Sequence, residues 1–167
     1  MEEIMFKKIE ETDRKQVLTL MKTVIEGLER PEFYMQDTPE SLENMFEEDF
    51  VYNYGAYEKE KLVGMTQLYV DQQDLKSYKV LFGLENEYVC ELGTALVLKA
   101  YRNRGILQNL INRQIQVAKE KKFTYMIATV HPENVPSYTA LGKCGFYLKG
   151  HAMIENKYDR NLYVIKL

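Results

Sequence analysis

Apolar positions recur along this chain with two different periods, and the switches between them outline its elements. Residues 3–9 alternate loosely and predict a first strand. Thr12 is placed to cap a helix in which Val17, Leu18, Met21, Val24, Ile25 and Leu28 recur at helical spacing, so a helix is expected over about 13–28. Pro31 and Pro39 punctuate a loop, and residues 39–48 read as a short acidic helix with Pro39 near its first position. Residues 50–57 and 62–70 are rich in Val, Tyr and Leu and flank Glu58-Lys59-Glu60-Lys61, the pattern of a hairpin. No period dominates residues 71–86, which fit either a short helix or an extended loop. A strand over 88–98, a helix over 105–120 and a buried strand over 123–130 follow. On that helix Leu107, Ile111, Ile115 and Ala118 share a face, with Leu110 at its margin. A short helix over 136–143, closed by Gly145, leads into a final strand pair at 146–157 and 160–167.

This order holds no repeat, low-complexity run or linker, and 167 residues suit a single domain spanning 1–167. At 46% hydrophobic and 28% charged residues the chain has the composition of a folded α/β protein. The net charge of −3 argues against general nucleic-acid binding and permits a cationic substrate. No apolar run reaches membrane-spanning length, and Met1-Glu2-Glu3 carries acids where a signal peptide carries bases, so a cytoplasmic protein is expected. Two cysteines, Cys90 and Cys144, are too few for a disulfide scaffold and form no metal-ligand spacing with His131 or His151. They read as small core residues, and no metal is expected. Tyrosine is abundant, and Tyr52, Tyr54 and Tyr57 share one candidate strand, as sheet surface or as the lining of a ligand cleft.

The chemistry concentrates after the strand ending near Leu98. There Arg102-Asn103-Arg104-Gly105-Ile106-Leu107-Gln108 joins a strand to a helix. Unpaired N–H groups and the positive end of the helix dipole make such a turn an anion site, and two arginines add charge. The turn has neither a nucleoside-triphosphate loop's Lys-Ser/Thr nor the glycines of a dinucleotide fingerprint. It resembles the pyrophosphate loop of the GNAT acetyltransferase superfamily, Q/R-x-x-G-x-G/A, matching at Arg102 and Gly105 and departing at Leu107. A second stretch runs Asn134-Val135-Pro136-Ser137-Tyr138, then Lys143-Cys144-Gly145-Phe146. It is similar to that family's second signature at Asn134, Ser137, Lys143, Gly145 and Phe146.

The resemblance covers nearly the whole chain and implies an α/β (α+β) fold. Its mixed, mostly antiparallel sheet would have about seven strands flanked by about four helices, with one parallel pair splayed around the pantetheine arm of acetyl-CoA. Ala95, Leu96 and Val97 would then offer backbone partners to pantetheine and to the thioester oxygen. Arg102, Asn103, Arg104, Gly105, Ile106, Leu107 and Gln108 would bind pyrophosphate. Asn134 and Ser137 would contact the cofactor, although Asn134 also suits a helix cap. Many relatives place a tyrosine, the acid that protonates the leaving thiolate, where this chain has Leu141. Branches resembling ribosomal-protein N-terminal acetyltransferases also carry Leu there, and Tyr138 and Ser137 are substitutes within reach.

Regular alternation puts Val89, Glu91, Gly93, Ala95 and Val97 on one strand face. An acid on that apolar face is a candidate general base, since desolvation raises its pKa toward neutrality. Glu91 also precedes Arg102 by the spacing at which several GNAT enzymes hold a catalytic glutamate. A salt bridge, or a β-bulge at Gly93 that turns Glu91 to solvent, would account for it otherwise. The expected activity is transfer of an acetyl group from acetyl-CoA to a primary amine of a small molecule or a protein N-terminus, by direct attack in a ternary complex. The competing expectation is a CoA-binding module without catalysis. Neither nucleic acid nor membrane is expected as a partner, and the chain would act as a monomer or homodimer.

Overall fold

The computed structural model describes residues 2–167. Seven strands form one sheet in the order β1-β2-β3-β4-β5-β7-β6. They are β1 (Ile4–Lys8), β2 (Val51–Glu58), β3 (Lys61–Tyr69), β4 (Val89–Val97), β5 (Tyr125–Val130), β6 (Tyr147–Ile154) and β7 (Tyr158–Lys166). The helices are α1 (Arg14–Glu26), α2 (Pro39–Glu43), α3 (Lys76–Leu81), α4 (Ile106–Glu120) and α5 (Val135–Lys143). Neighbouring strands are antiparallel except β4 and β5. This is the expected mixed sheet, with α3 resolving the ambiguous 71–86 segment as a helix and bringing the helices to five. No described helix is long and apolar enough to cross a membrane.

Local rules account for most element ends. Pro39 stands in the first turn of α2, and Thr38 and Ser41 form a reciprocal capping box. Gly145 follows α5 at φ +100°, a left-handed value that only glycine adopts cheaply. Thr12 does not cap α1. A 3₁₀ turn over Glu11–Asp13 precedes the helix, and Asp13 holds the cap position without a side-chain bond.

Two layers of helix cover the sheet. On one face α4 and α5 pack Ile111, Ile115 and Leu141 against Cys90, Leu92, Met126 and Ala128. On the other, α1 packs Val17, Leu20, Met21 and Val24 against Met65 and Leu96. Phe82, just past α3, joins Leu84, Val89, Ile127, Leu162 and Val164 on that same side. The inward stripe of α4 is rotated from the expected one. Leu110 is fully buried, whereas Leu107 is half-buried at the junction of two clusters. Gln114 is also fully buried, and its amide donates to Tyr52 O at 3.2 Å and to Thr66 O and Oγ1 at 3.3 and 3.2 Å.

Alternation also fails within β4. Thr66 pairs with Ala95 but Leu68 pairs with Leu92, so Gly93 and Thr94 stand opposite Gln67 alone. This is a two-against-one bulge, and it exchanges the faces of the residues beyond it. Val89 packs on the α3 side while Val97 packs with Ile106 and Leu110 of α4. The expected shared face of Val89, Glu91, Gly93, Ala95 and Val97 is therefore broken in the middle. Glycine is needed at the bulge, because a Cβ on Gly93 would overlap the Tyr69 ring.

Gly93→Ala should consequently cost about 1–3 kcal/mol in urea unfolding, the range for overpacking a filled site. Tyr69→Ala should cost less in the Gly93→Ala background than in wild type. Strictly additive costs would show that the ring does not depend on the missing Cβ.

Candidate active site

The parallel pair that carries the site is short. β4 and β5 are in register at Val89–Tyr125, Cys90–Met126 and Glu91–Ile127, and pairing stops there, although both strands continue. Beyond Glu91 the backbone groups of β4 that point toward β5 have no strand partner, and buried N–H and C=O groups need one. The gap can accept an extended arm carrying amides. Ala95, Leu96 and Val97 line it from β4. Leu96 and Val97 bury their side chains in opposite helix-covered clusters, leaving their backbone as the part a ligand meets.

The basic turn closes the end of this gap. After a 3₁₀ turn at Lys99–Tyr101, Asn103 (φ +62°) and Gly105 (φ +73°) adopt left-handed conformations and α4 begins at Ile106. A Cβ on Gly105 would meet nothing closer than Asn109 Nδ2 at 3.9 Å, so glycine serves the backbone angle there and not close packing. No side chain caps α4, which leaves the N–H groups of its first turn, at Ile106, Leu107 and Gln108, without intrahelical partners. Arg102, Asn103, Arg104 and Gly105 are exposed around them. Arg102 Nε donates to Val97 O at 3.2 Å, and the Arg104 guanidinium lies 5.0 Å from the Tyr101 ring. Free N–H groups, a helix dipole and two cations can together receive an anion such as a diphosphate.

α5 approaches from the end of β5. Asn134 occupies its cap position, yet its side chain makes no capping bond and is free to meet a ligand. Ser137 and Tyr138 are half-buried in the first turns, and Tyr138 packs against the same cluster that buries Leu141. Leu141 is thus a core residue, and Tyr138 is the phenol on this side of the gap. Burial pushes the thiols of Cys90 and Cys144 up, which keeps both protonated.

Glu91 lies on the opposite face, at the last paired position of β4. Desolvation pushes its carboxyl up to about 7, and among the described residues no salt bridge offsets that burial. The hydroxyls of Tyr69 and Tyr78 lie close enough to feel its charge. The bulge at Gly93 does not turn Glu91 to solvent. It moves Thr94 onto the Glu91 face, where the hydroxyls of Tyr34 and Tyr69 lie 3.3 and 3.4 Å from Thr94 Oγ1. Tyr34 donates to Asp37 at 2.5 Å, and burial holds the Asp37 carboxyl above its ordinary value. Tyr69 donates to Gln67 (2.9 Å), Gln67 to Asn53 (2.9 Å) and Asn53 to Met45 O (2.6 Å).

The Tyr34–Thr94 contact ties this polar chain to the segment joining α1 and α2, which lies over the sheet face that carries Glu91. The segment is held again by Tyr158, whose hydroxyl accepts from Gln36 N, and by an Arg30–Glu133 ion pair. Phe33 packs at a tilt against His131 with ring centroids 4.8 Å apart. Periodicity and motif spacing passed over Tyr69, Tyr78, Thr94 and Arg160. Arg160 carried a usable signal, since it interrupts the alternating apolar positions Tyr158, Leu162 and Val164 as Glu91 interrupts β4.

Known proteins agree with this geometry. Solved structures of like fold include a GNAT-family acetyltransferase from Streptococcus pneumoniae, at 20% identity and a TM-score of 0.74, covering 99% of both chains. Arabidopsis thaliana NAA60 in complex with acetyl-CoA gives a TM-score of 0.75 at 18% identity, again over 99% of both chains. Ribosomal-protein-S5-alanine acetyltransferase from Vibrio fischeri gives 0.74 at 13% identity, over 99% of this chain and 94% of that one. No curated protein sequence matches. Residues 22–146, however, match the sequence pattern of the Acetyltransferase (GNAT) family, and with the splayed strands and the anion-binding turn this places the chain in that family.

Proposed function

We propose that this chain, as one domain over 1–167, transfers an acetyl group from acetyl-CoA to a primary amine of a small molecule or a protein N-terminus. The observation that carries the reading is the position of Glu91: a desolvated carboxyl, titrating near neutrality, at the closed end of the strand gap. The N–H groups of Ile106, Leu107 and Gln108, with Arg102, Asn103, Arg104 and Gly105, would hold the pyrophosphate. The backbone of Ala95, Leu96 and Val97 would hold the pantetheine arm and polarise the thioester oxygen, and Asn134 and Ser137 would contact the arm from α5.

Glu91, directly or through a water, would take a proton from the incoming ammonium, leaving a neutral amine. The nitrogen lone pair would attack the thioester carbon, forming the C–N bond. The C–S bond would break with its electron pair passing to sulfur, and Tyr138 would donate its phenolic proton to that thiolate from the other face. The second proton of the attacking nitrogen would leave through water to restore the phenol, while Glu91 releases its own proton to solvent. A thiolate is a tolerable leaving group near neutral pH, so the phenolic proton assists the reaction without controlling it. Both residues touch the reacting atoms in this scheme, and no covalent enzyme intermediate is required.

Two outcomes test it. Gly105→Glu places a carboxylate and bulk at the anion site, on a left-handed backbone. It should weaken acetyl-CoA binding severely by calorimetry, and unchanged affinity would remove this turn as the pyrophosphate site. Glu91→Gln should lower kcat by roughly 10²–10⁴-fold with little change in acetyl-CoA affinity, and should abolish the acidic limb near pH 7. Tyr138→Phe should slow turnover while leaving that limb in place. Stability supplies an independent readout. Folded Glu91 keeps its proton to higher pH than the unfolded chain does, so this residue costs stability as pH rises from the ordinary carboxylate range through about 7. Glu91→Gln should lack that loss. An active Glu91→Gln enzyme with an unchanged pH profile would refute the base assignment, and acetyl-CoA binding without turnover of any amine would leave a binding module.

A further inference from the structure

Acetyl transfer as described makes no use of a buried guanidinium on the side of the sheet that carries Glu91. Arg160 is 2% exposed, on the β7 face that also carries Leu162 and Val164. That face is the one on which Val89, two residues before Glu91, packs with α3 and the residues after it. Arg160 Nη1 donates to Asp159 O and Nη2 to Glu32 O, each at 2.8 Å. Both partners are neutral backbone carbonyls. The carboxylates of those same two residues turn elsewhere, Asp159 to His151 and Glu32 to Arg30. Among the described residues no carboxylate lies within ion-pair distance of Arg160.

Arginine cannot shed its charge in a protein, so a buried guanidinium without a counter-ion is a standing cost. Here two carbonyls and the Tyr158 ring, 5.2 Å from the guanidinium carbon, offset part of it. Burial still pulls the Arg160 pKa below its ordinary value. Glu32, whose carbonyl receives Arg160, belongs to the same covering segment as Tyr34, whose hydroxyl reaches Thr94 on the Glu91 face. One segment therefore lies over an acidic region, Glu91 with the half-buried Asp37, and over the cation Arg160.

We propose that the acceptor is an amine that also carries a carboxylate, with Arg160 binding the carboxylate while Glu91 faces the amine. This deepens the amine-acetylation reading above and rests on it. A guanidinium's planar fork fits the two oxygens of a carboxylate, and one buried cation matches a single negative charge, the neighbouring Lys157 being exposed beside the same Tyr158 ring. Arg160 is a specificity-determining residue in this scheme and takes no part in the proton transfers.

The test uses acetyl-CoA and matched acceptor pairs: glycine, β-alanine, γ-aminobutyrate, aminohexanoate and the α-amino acids, each against its primary amide, with phosphoethanolamine as the phosphate arm. Wild type should prefer the carboxylate member of at least one pair by tenfold or more in kcat/KM. Arg160→Met should remove roughly 10²-fold of activity toward that carboxylate while leaving the amide and the KM for acetyl-CoA little changed. Arg160→Lys should keep part of the preference, and it stands in if the Met variant does not fold. A merely structural arginine would lower activity on both members of each pair alike. Equal wild-type activity on carboxylate and amide, or preference for the phosphate, overturns the proposal.

If no amine is acetylated, the amine-acetylation reading fails, and calorimetry on the CoA-saturated protein with the same pairs decides separately. Carboxylate-selective binding lost in Arg160→Met upholds the Arg160 site, and absence of selective binding refutes it.

Discussion

The rest of the site depends on one interrupted strand pairing. β4 and β5 share a register only as far as Glu91–Ile127, while β3 braces β4 on one flank and β7 braces β5 along its whole length on the other. The sheet therefore stays continuous while a gap opens inside it. At that gap the backbone presents groups that no neighbour satisfies, and such groups bind a ligand that can supply the missing partners. The bulge at Gly93–Thr94 bends β4 where pairing ends. The strand that leaves the ladder then runs directly into the turn before α4, so the gap and the anion site form one continuous surface.

The same bulge joins the fold to its chemistry. It brings Thr94 to the Glu91 side, where its hydroxyl links Tyr34 of the covering segment to Tyr69, which lies over Gly93. The hydrogen bonds continue through Gln67 and Asn53 into the core. Interior polar chains of this kind hold their members in one arrangement because an unpaired member is costly. The sheet face that carries Glu91 is thus lined by side chains fixed from behind. Tyr138 and Ser137 belong to α5, on the other side of the sheet, and the gap is where the two sides meet.

Electrostatically this side of the sheet is divided. Glu91 and Asp37 are carboxyls held above their ordinary range by burial, and Arg160 is a cation held below its own. Each of these groups costs stability where it stands. The surrounding aliphatic and aromatic clusters supply the burial that offsets the cost, and they also provide the low-dielectric walls that strengthen these charges toward a ligand.

The chain's local patterns were enough to determine its elements apart from α3, where no period dominates. Helical spacing marked α1 and α4, Pro39 marked the start of α2, Gly145 marked the end of α5, and the basic turn before α4 was readable as an anion site because caps and turns are short-range. Glu91 was visible as an acid on an apolar strand, and the same rule applied to β7 would have revealed Arg160. Other features were decided by contacts distant in sequence. Periodicity sets which residues of α4 share a stripe but not which way the helix is rotated, so packing against β2 and β3 turned Leu110 and Gln114 inward and left Leu107 at the margin. Alternation assigns faces only in a regular strand, and whether β4 is regular depends on Gln67 of the neighbouring strand taking two residues opposite it. The faces of Ala95 and Val97, the end of parallel pairing and the desolvation of Glu91 are therefore properties of register and of what covers the sheet, which arise only when strands far apart in the chain are brought together.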